Sequence, residues 1–290
     1  MKTMVILNKL YQAVNAMKFY SKFYQLQRKI HLFIETVDVI ANEQIAAGIW
    51  RMSMHAPQVA GAYKGPGQFI NLLADDSWEH LVRRPMSIAS VKGVAVDIIY
   101  KIFGETTDIF SRKKPGETMN ILGPLGNVFT DYENQDVKPI LVGGGVGLAP
   151  ILNLSASCNN AVMIIGARTA AEHFMDHEPE NNIYMTTDDG SVGIAGTVLA
   201  ALAKIDIHEN SIIYACGPEP MLYAVQQFAF EKNIRAQLSV ESYMGCGVGL
   251  CQGCVVERKN GQIKDHSYHE KYSLVCLDGP VYECEEVNFG

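Results

Sequence analysis

Cys246, Cys251 and Cys254 stand in the order C-x4-C-x2-C, with Gly245, Gly247, Gly249 and Gly253 set among them and Cys276 further along. Few local structures satisfy such a run. Four thiolates that converge on two irons need one tight loop for three ligands and a separate segment for the fourth, which is the layout of plant-type [2Fe-2S] ligation. The glycines let the loop take positive φ values and bring its N–H groups close to the sulfurs, where they tune the reduction potential. Buried structural cysteines would require no such offsets. Zinc is the serious rival, yet zinc sites usually pair cysteines as C-x2-C twice, without interleaved glycines. Cys284 also lies downstream; Cys276 is preferred as the fourth ligand, leaving Cys284 as a free thiol.

An odd total of seven cysteines in a chain with no export signal argues for metal or redox use in a reducing compartment, and cytoplasm is the expected location. Apolar residues make up 48% of the 290, enough for two or three packed domains. The 24 basic and 31 acidic side chains leave a net charge of −7, so no basic surplus is available to neutralise nucleic-acid phosphates. No run of roughly eighteen apolar residues occurs, and no membrane span is expected. Residues 1–30 carry six Lys or Arg and no acidic residue. They fit neither a transit nor a signal peptide and read as a plain helical extension, with Met17 as a possible alternative start.

From His31 to about Val128, short alternating segments such as Gln68–Leu72 and Val94–Ile102 are separated by Gly, Pro and Asp, the rhythm of a small antiparallel barrel. Between Lys138 and Gln237 the pattern becomes βα alternation, with buried runs at Ile140–Val142, Ala161–Ile165 and Ser211–Ala215. The expected fold is therefore multidomain, α/β and β: an extension (1–30), an antiparallel β-barrel domain (31–130) to which the motif and resemblance given below assign FAD, a parallel α/β domain (131–237) of the dinucleotide-binding kind and a small C-terminal [2Fe-2S] domain (238–290).

The run Gly143-Gly144-Gly145-Val-Gly147-Leu-Ala-Pro150 follows a predicted strand and opens a predicted helix. Glycines there allow the backbone to approach a pyrophosphate, which the helix N-terminus stabilises. Cys216-Gly217-Pro218 ends a later strand and brings a second loop to the same C-terminal sheet edge, although a lone Cys216 is as readily a buried small hydrophobe. Arg168, after the second strand, is either a 2′-phosphate ligand that favours NADP or a solvated charge, and the sequence leaves both open. In the barrel segment, Arg84-Pro85-Met86-Ser87 offers an Arg for a dinucleotide pyrophosphate and a hydroxyl for a flavin ring. By itself it could equally be a barrel corner.

A barrel motif, a dinucleotide loop and a cluster loop in this order resemble the ferredoxin reductase superfamily. Within it, the chain resembles the electron transfer subunits of B-type dihydroorotate dehydrogenases. The resemblance runs from about His31 to Val287. It rests on Arg84–Ser87, Ile99-Tyr100-Lys101, Gly123–Asn127, Val142–Gly147, Thr187–Ser191, Glu241–Cys246 and Val275–Val281. It implies FAD contacts at Arg84, Pro85, Met86 and Ser87, at Ile99, Tyr100 and Lys101, and at Thr106 and Thr107, where the family usually has Gly-Thr. It implies cluster ligation by Cys246, Cys251, Cys254 and Cys276. Ser87 and Cys216 are the expected catalytic residues, and Gly143, Gly144, Gly145, Gly147, Pro150, Cys216, Gly217 and Pro218 the expected NAD(H) contacts.

The implied activity is NADH oxidation through FAD and a [2Fe-2S] cluster to an FMN-containing catalytic subunit that interconverts dihydroorotate and orotate in pyrimidine synthesis. The implied assembly is a heterotetramer with two copies of each subunit. A related reductase subunit serving ferredoxin, a sulfur-reducing enzyme or a hydrogenase is the alternative; a redox sensor is disfavoured because it needs no hydride acceptor. The chain departs from the family in the 21 residues between Cys254 and Cys276, read as a longer surface loop in which His266 and His269 are solvated.

Overall fold

The structure is a computed structural model that describes residues 32–75, 77, 79–259 and 271–289. The basic extension and the loop bearing His266 and His269 lie outside the described residues.

Six strands close an antiparallel barrel: β1 (Phe33–Ala46), β2 (Ile49–His55), β3 (Phe69–Leu73), β4 (Arg84–Lys92), β5 (Ala95–Lys101) and β6 (Thr118–Leu125), in the order β1-β2-β5-β4-β3-β6. Alternation of side chains along each strand sends Val37, Met52, Ile70, Leu72, Ile88, Ile98 and Ile121 into one core. Two short helices flank it, α1 (Pro57–Ala62) and α2 (Glu105–Ser111). The buried carboxylate of Glu35 accepts the N–H groups of Gln58 and Val59 at 3.2 and 3.3 Å, satisfying donors that the first turn of α1 leaves free.

A second sheet is built from β7 (Lys138–Gly144), β8 (Val162–Ala167), β9 (Ile183–Thr187), β10 (Ile194–Ala195), β11 (Ser211–Cys216) and β12 (Arg235–Ser239), all parallel in the order β10-β9-β8-β7-β11-β12. Its central strands are buried on both faces, which is why they read as continuous apolar runs. Helices α3 (Leu148–Ser155), α4 (Val198–Leu202) and α5 (Glu219–Lys232) cover it. A three-stranded sheet in the order β14-β13-β16 follows, from β13 (Val255–Arg258), β14 (Tyr272–Leu274) and β16 (Val287–Asn288).

Between β14 and β16, the strand β15 (Val281–Glu283) leaves that small sheet and pairs antiparallel with β12 as the seventh strand of the large one. Two side chains hold this segment in place. Asn127, just after β6, donates to the carbonyls of Asp278 and Val281 at 3.0 and 2.8 Å and accepts the Val281 N–H at 2.9 Å. Gln226 on α5 is buried and donates to the carbonyls of Cys284 and Val287 at 2.6 and 2.8 Å. The barrel meets α3 through Asn153, which donates to the Ile88 carbonyl at 2.9 Å and to Tyr63 Oη at 2.6 Å. No helix among the described residues is long and apolar enough to cross a membrane.

Candidate redox site

All seven cysteines are free thiols. The loop from Gly245 to Cys254 curls around Cys246, whose Sγ accepts the N–H groups of Val248, Leu250 and Cys251 at 3.4, 3.2 and 3.3 Å. That curl needs left-handed backbone at Gly247 (φ 73°) and Gly249 (φ 77°), and a Cβ at Gly249 would collide with Leu277. Donated N–H groups, first that of Cys246, hold the Cys251 thiol down to about 7. Cys254 and Cys276 share a hydrogen bond 3.2 Å long, which holds Cys254 down to about 6 and pushes Cys276 up.

The sulfurs are thus arranged as two pairs, Cys246 with Cys251 and Cys254 with Cys276. Thiolate is the form that binds metal, and two pairs of thiolates are what two irons require. Among the described residues no three His, Cys, Asp or Glu side chains are gathered around a single point. Cys284 stands apart: its N–H donates to the Ala236 carbonyl on β12, it is fully buried, and burial pushes its thiol up to about 12.

In the barrel, β3 and β4 pair Phe69 with Ser87, Ile70 with Met86, Asn71 with Pro85 and Leu72 with Arg84. Residues directly opposite one another share a face. Met86 therefore turns to the barrel core beside Ile70, and Arg84 lies on that same face at the strand's end, whereas Pro85 and Ser87 face outward. On β5, Tyr100 points inward: its hydroxyl donates to Asn42 Oδ1 at 2.9 Å and its ring meets Phe110 edge-on at 6.0 Å. Ile99 faces outward and packs with Ile49, Ala89 and Ala149, the last on α3. Thr106 and Thr107 are buried, and Thr107 Oγ1 accepts the N–H groups of Phe103 and Gly104 at 2.9 and 3.2 Å, bracing the turn into α2.

At the C-terminal edge of the large sheet, Gly145–Gly147 form a single 3-10 turn between β7 and α3, with Pro150 in the first turn of that helix. A Cβ at Gly147 would overlap the Cys216 carbonyl and Gly217, and one at Gly144 would meet Met221 and Pro218. The two predicted loops therefore touch, with Gly143 opposite Cys216 in the sheet register. Cys216 is 1% exposed and burial pushes its thiol upward, so it presents a neutral sulfur.

Arg168 donates to Glu172 Oε1 at 2.6 Å, and the same oxygen takes Lys101 at 2.9 Å. The Arg168 guanidinium beside Glu172 holds that carboxyl down to about 2. A separate cavity of about 500 Å³ lies between β1, β2 and α3, lined by Glu43, Arg51, Leu152 and Phe174 among others, and carries none of the predicted site residues.

Two residues escaped the sequence reading. Glu172 follows no motif. Asn71, at the centre of β3, is fully buried, and neither Nδ2 nor Oδ1 has a hydrogen-bond partner among the described residues; a group left unmet there would cost about 1–3 kcal/mol. A Cβ at Gly247 of the cysteine loop would collide with its Nδ2. The available signal was an Asn in mid-strand, where that residue type is depleted.

Residues 241–288 match a family model described as the iron-sulfur cluster binding domain of dihydroorotate dehydrogenase B. Two curated relatives are named dihydroorotate dehydrogenase B (NAD(+)), electron transfer subunit. The protein from Bacillus velezensis is 36% identical over 269 residues, covering 90% of this chain and 99% of the relative. That from Caldanaerobacter subterraneus subsp. tengcongensis is 34% identical over 253 residues, covering 87% and 97%. Among solved structures, that of an NADH-dependent reduced ferredoxin-NADP oxidoreductase, described for flavin-based electron bifurcation, superposes with a TM-score of 0.74 at 28% identity, covering 87% of this chain and 90% of that one. The ferredoxin reductase of carbazole 1,9a-dioxygenase shares the fold at a TM-score of 0.58 and 19% identity, over 70% and 67%.

Proposed function

Because the chain belongs to the family of dihydroorotate dehydrogenase B electron transfer subunits, we propose that it relays electrons between NAD(H), FAD and a [2Fe-2S] cluster. Its partner is an FMN-containing catalytic subunit that interconverts dihydroorotate and orotate, in a complex with two copies of each chain. The observation that carries this reading is the meeting of three segments. Outward-facing Ser87 and Pro85 on β4 lie beside Asn71, which touches the cysteine loop at Gly247, while α3, rising from the glycine turn, packs against β4 through Asn153.

Bound FAD supplies the conversion between two-electron hydride chemistry and the single electrons an iron–sulfur centre accepts. The chain's own residues position the exchange. Ser87 offers its hydroxyl to the flavin ring and Arg84 a positive charge to the pyrophosphate. Because Tyr100 and Thr107 are engaged within the barrel and its turn, Ile99–Lys101 and Thr106–Thr107 contact FAD through backbone and shape. Gly144 and Gly147 keep Cβ atoms out of the dinucleotide edge, where Cys216 stays neutral and close-packed. Cys246, Cys251, Cys254 and Cys276 ligate the irons. Arg168 is already paired with Glu172, which favours NADH over NADPH and agrees with the NAD(+) in the relatives' names. Seven cysteines without a disulfide suit a cytoplasmic setting.

The direct test is to mix the purified holoprotein with an FMN-containing dihydroorotate-oxidising subunit and follow NAD+ reduction. The expected result is dihydroorotate-dependent NADH formation that requires both chains and a two-plus-two complex by light scattering. Electron exchange with a ferredoxin but not with that subunit would favour the alternative suggested by the bifurcating oxidoreductase.

A further inference from the structure

Resting on the cofactor relay just described, we propose that Asn71 is a positioning residue of that relay: its carboxamide donates an N–H to a sulfur of the [2Fe-2S] cluster and thereby raises the cluster's reduction potential. Three observations carry this. First, Asn71 is 0% exposed, and neither polar atom of its side chain has a partner among the described residues. A carboxamide sealed from water without partners is a poor choice for folding alone, because leucine fills the same volume without unmet groups.

Second, the β3–β4 register places Asn71 opposite Pro85 and one outward position from the Phe69–Ser87 pair. It therefore stands on the face of the barrel to which flavin binding is assigned. Third, Nδ2 lies against Gly247, the residue that follows Cys246, closely enough that a Cβ at Gly247 would overlap it. Asn71, on the strand paired with the flavin-assigned β4, is thus a side chain through which the barrel touches the cysteine loop.

The orientation follows from charge. Thiolates and sulfides attract N–H donors and repel a carbonyl oxygen, so the NH2 end belongs toward the loop and Oδ1 toward the barrel side. Cys246 Sγ already accepts three backbone N–H groups, and the Asn71 amide adds a donor from a second element of the fold. A donor to the sulfurs stabilises the extra negative charge of the reduced cluster, which makes reduction easier.

The test uses the full chain with its cofactors, as wild type, Asn71→Leu and Asn71→Asp. Poised redox titrations follow the cluster by EPR and the flavin by absorbance, and the melting temperature of the cofactor-free chain is measured in parallel. Asn71→Leu is expected to keep or raise that melting temperature while making the reduced-to-oxidised ratio of the cluster about tenfold smaller at a given poise, which for one electron is ~59 mV. The g-values should shift and the flavin midpoint stay in place. Asn71→Asp, which brings an acceptor to the sulfurs, should lower the ratio further. Loss of cluster from both variants at unchanged cofactor-free stability would also support the bond. Loaded clusters with wild-type midpoint and g-values in both variants would overturn the proposal, as would a shift of the flavin midpoint alone. A wild-type chain that yields no [2Fe-2S] signal would overturn the relay itself, and this proposal with it.

Discussion

Lys101 Nζ, at the end of barrel strand β5, lies 2.9 Å from Glu172 Oε1, on the turn that follows β8 of the large sheet. The same oxygen holds Arg168 at 2.6 Å. One carboxylate therefore links the barrel to the sheet and pairs with Arg168, the cation proposed to face the ribose of a dinucleotide. A 2′-phosphate would have to displace Glu172. The wild-type protein is expected to reduce an artificial dye with NADH at least about tenfold more efficiently than with NADPH. Glu172→Gln should raise kcat/KM for NADPH by about tenfold, equivalent to ~1.4 kcal/mol, and leave NADH nearly unchanged.

The same carboxylate gives the fold a defined acid response. Its folded pKa of about 2 lies below the ordinary 4.5, so its contribution is complete above pH 4.5 and is lost as the pH falls from there towards 2. Arg168 is largely exposed, so solvent screens the pair and keeps its contribution small. Urea midpoints at pH 7 should therefore separate wild type from Glu172→Gln, and the gap should narrow by pH 3.

Cys276 and Cys284 are expected to behave oppositely. Cys276→Ser should abolish the cluster's visible absorbance and EPR signal, since Cys276 is the sulfur that meets Cys254. Cys284→Ser should keep both signals while losing about 1–3 kcal/mol of stability, because it places a hydroxyl among buried groups under β12. Iron content per chain and thermal melting check the two together.

Gln226 satisfies two carbonyls of the terminal segment from beneath, and its replacement by leucine would strand both. Gln226→Leu should cost about 2–4 kcal/mol and release the terminal strands before the barrel melts. Hydrogen exchange at Val281–Glu283 is the measurement, with Phe33–Ala46 as the internal reference.

Much of this arrangement is legible in the sequence because its determinants are local. The C-x4-C-x2-C run with its glycines specifies a tight loop, and the apolar run before Gly143 specifies a buried parallel strand that opens into a helix. What escaped notice depends on contacts between distant segments. Val281–Glu283 is only three residues long, and nothing near it announces a partner at Arg235–Ser239. Asn71 in an alternating strand reads as a solvent position until the cysteine loop is laid over it. The Ile99–Lys101 motif did not reveal that strand alternation turns the Tyr100 ring into the barrel beside Phe110, which leaves its backbone for the flavin contact proposed there.

The central claim is that NADH, flavin and cluster form one relay in this chain. Anaerobic titration of the purified protein with NADH, followed by bleaching of the flavin's visible absorbance and by EPR, tests it most directly. Bleaching accompanied by a rhombic [2Fe-2S] signal is the predicted result. Protein that binds zinc in place of iron, or a flavin that NADH leaves oxidised, would contradict it.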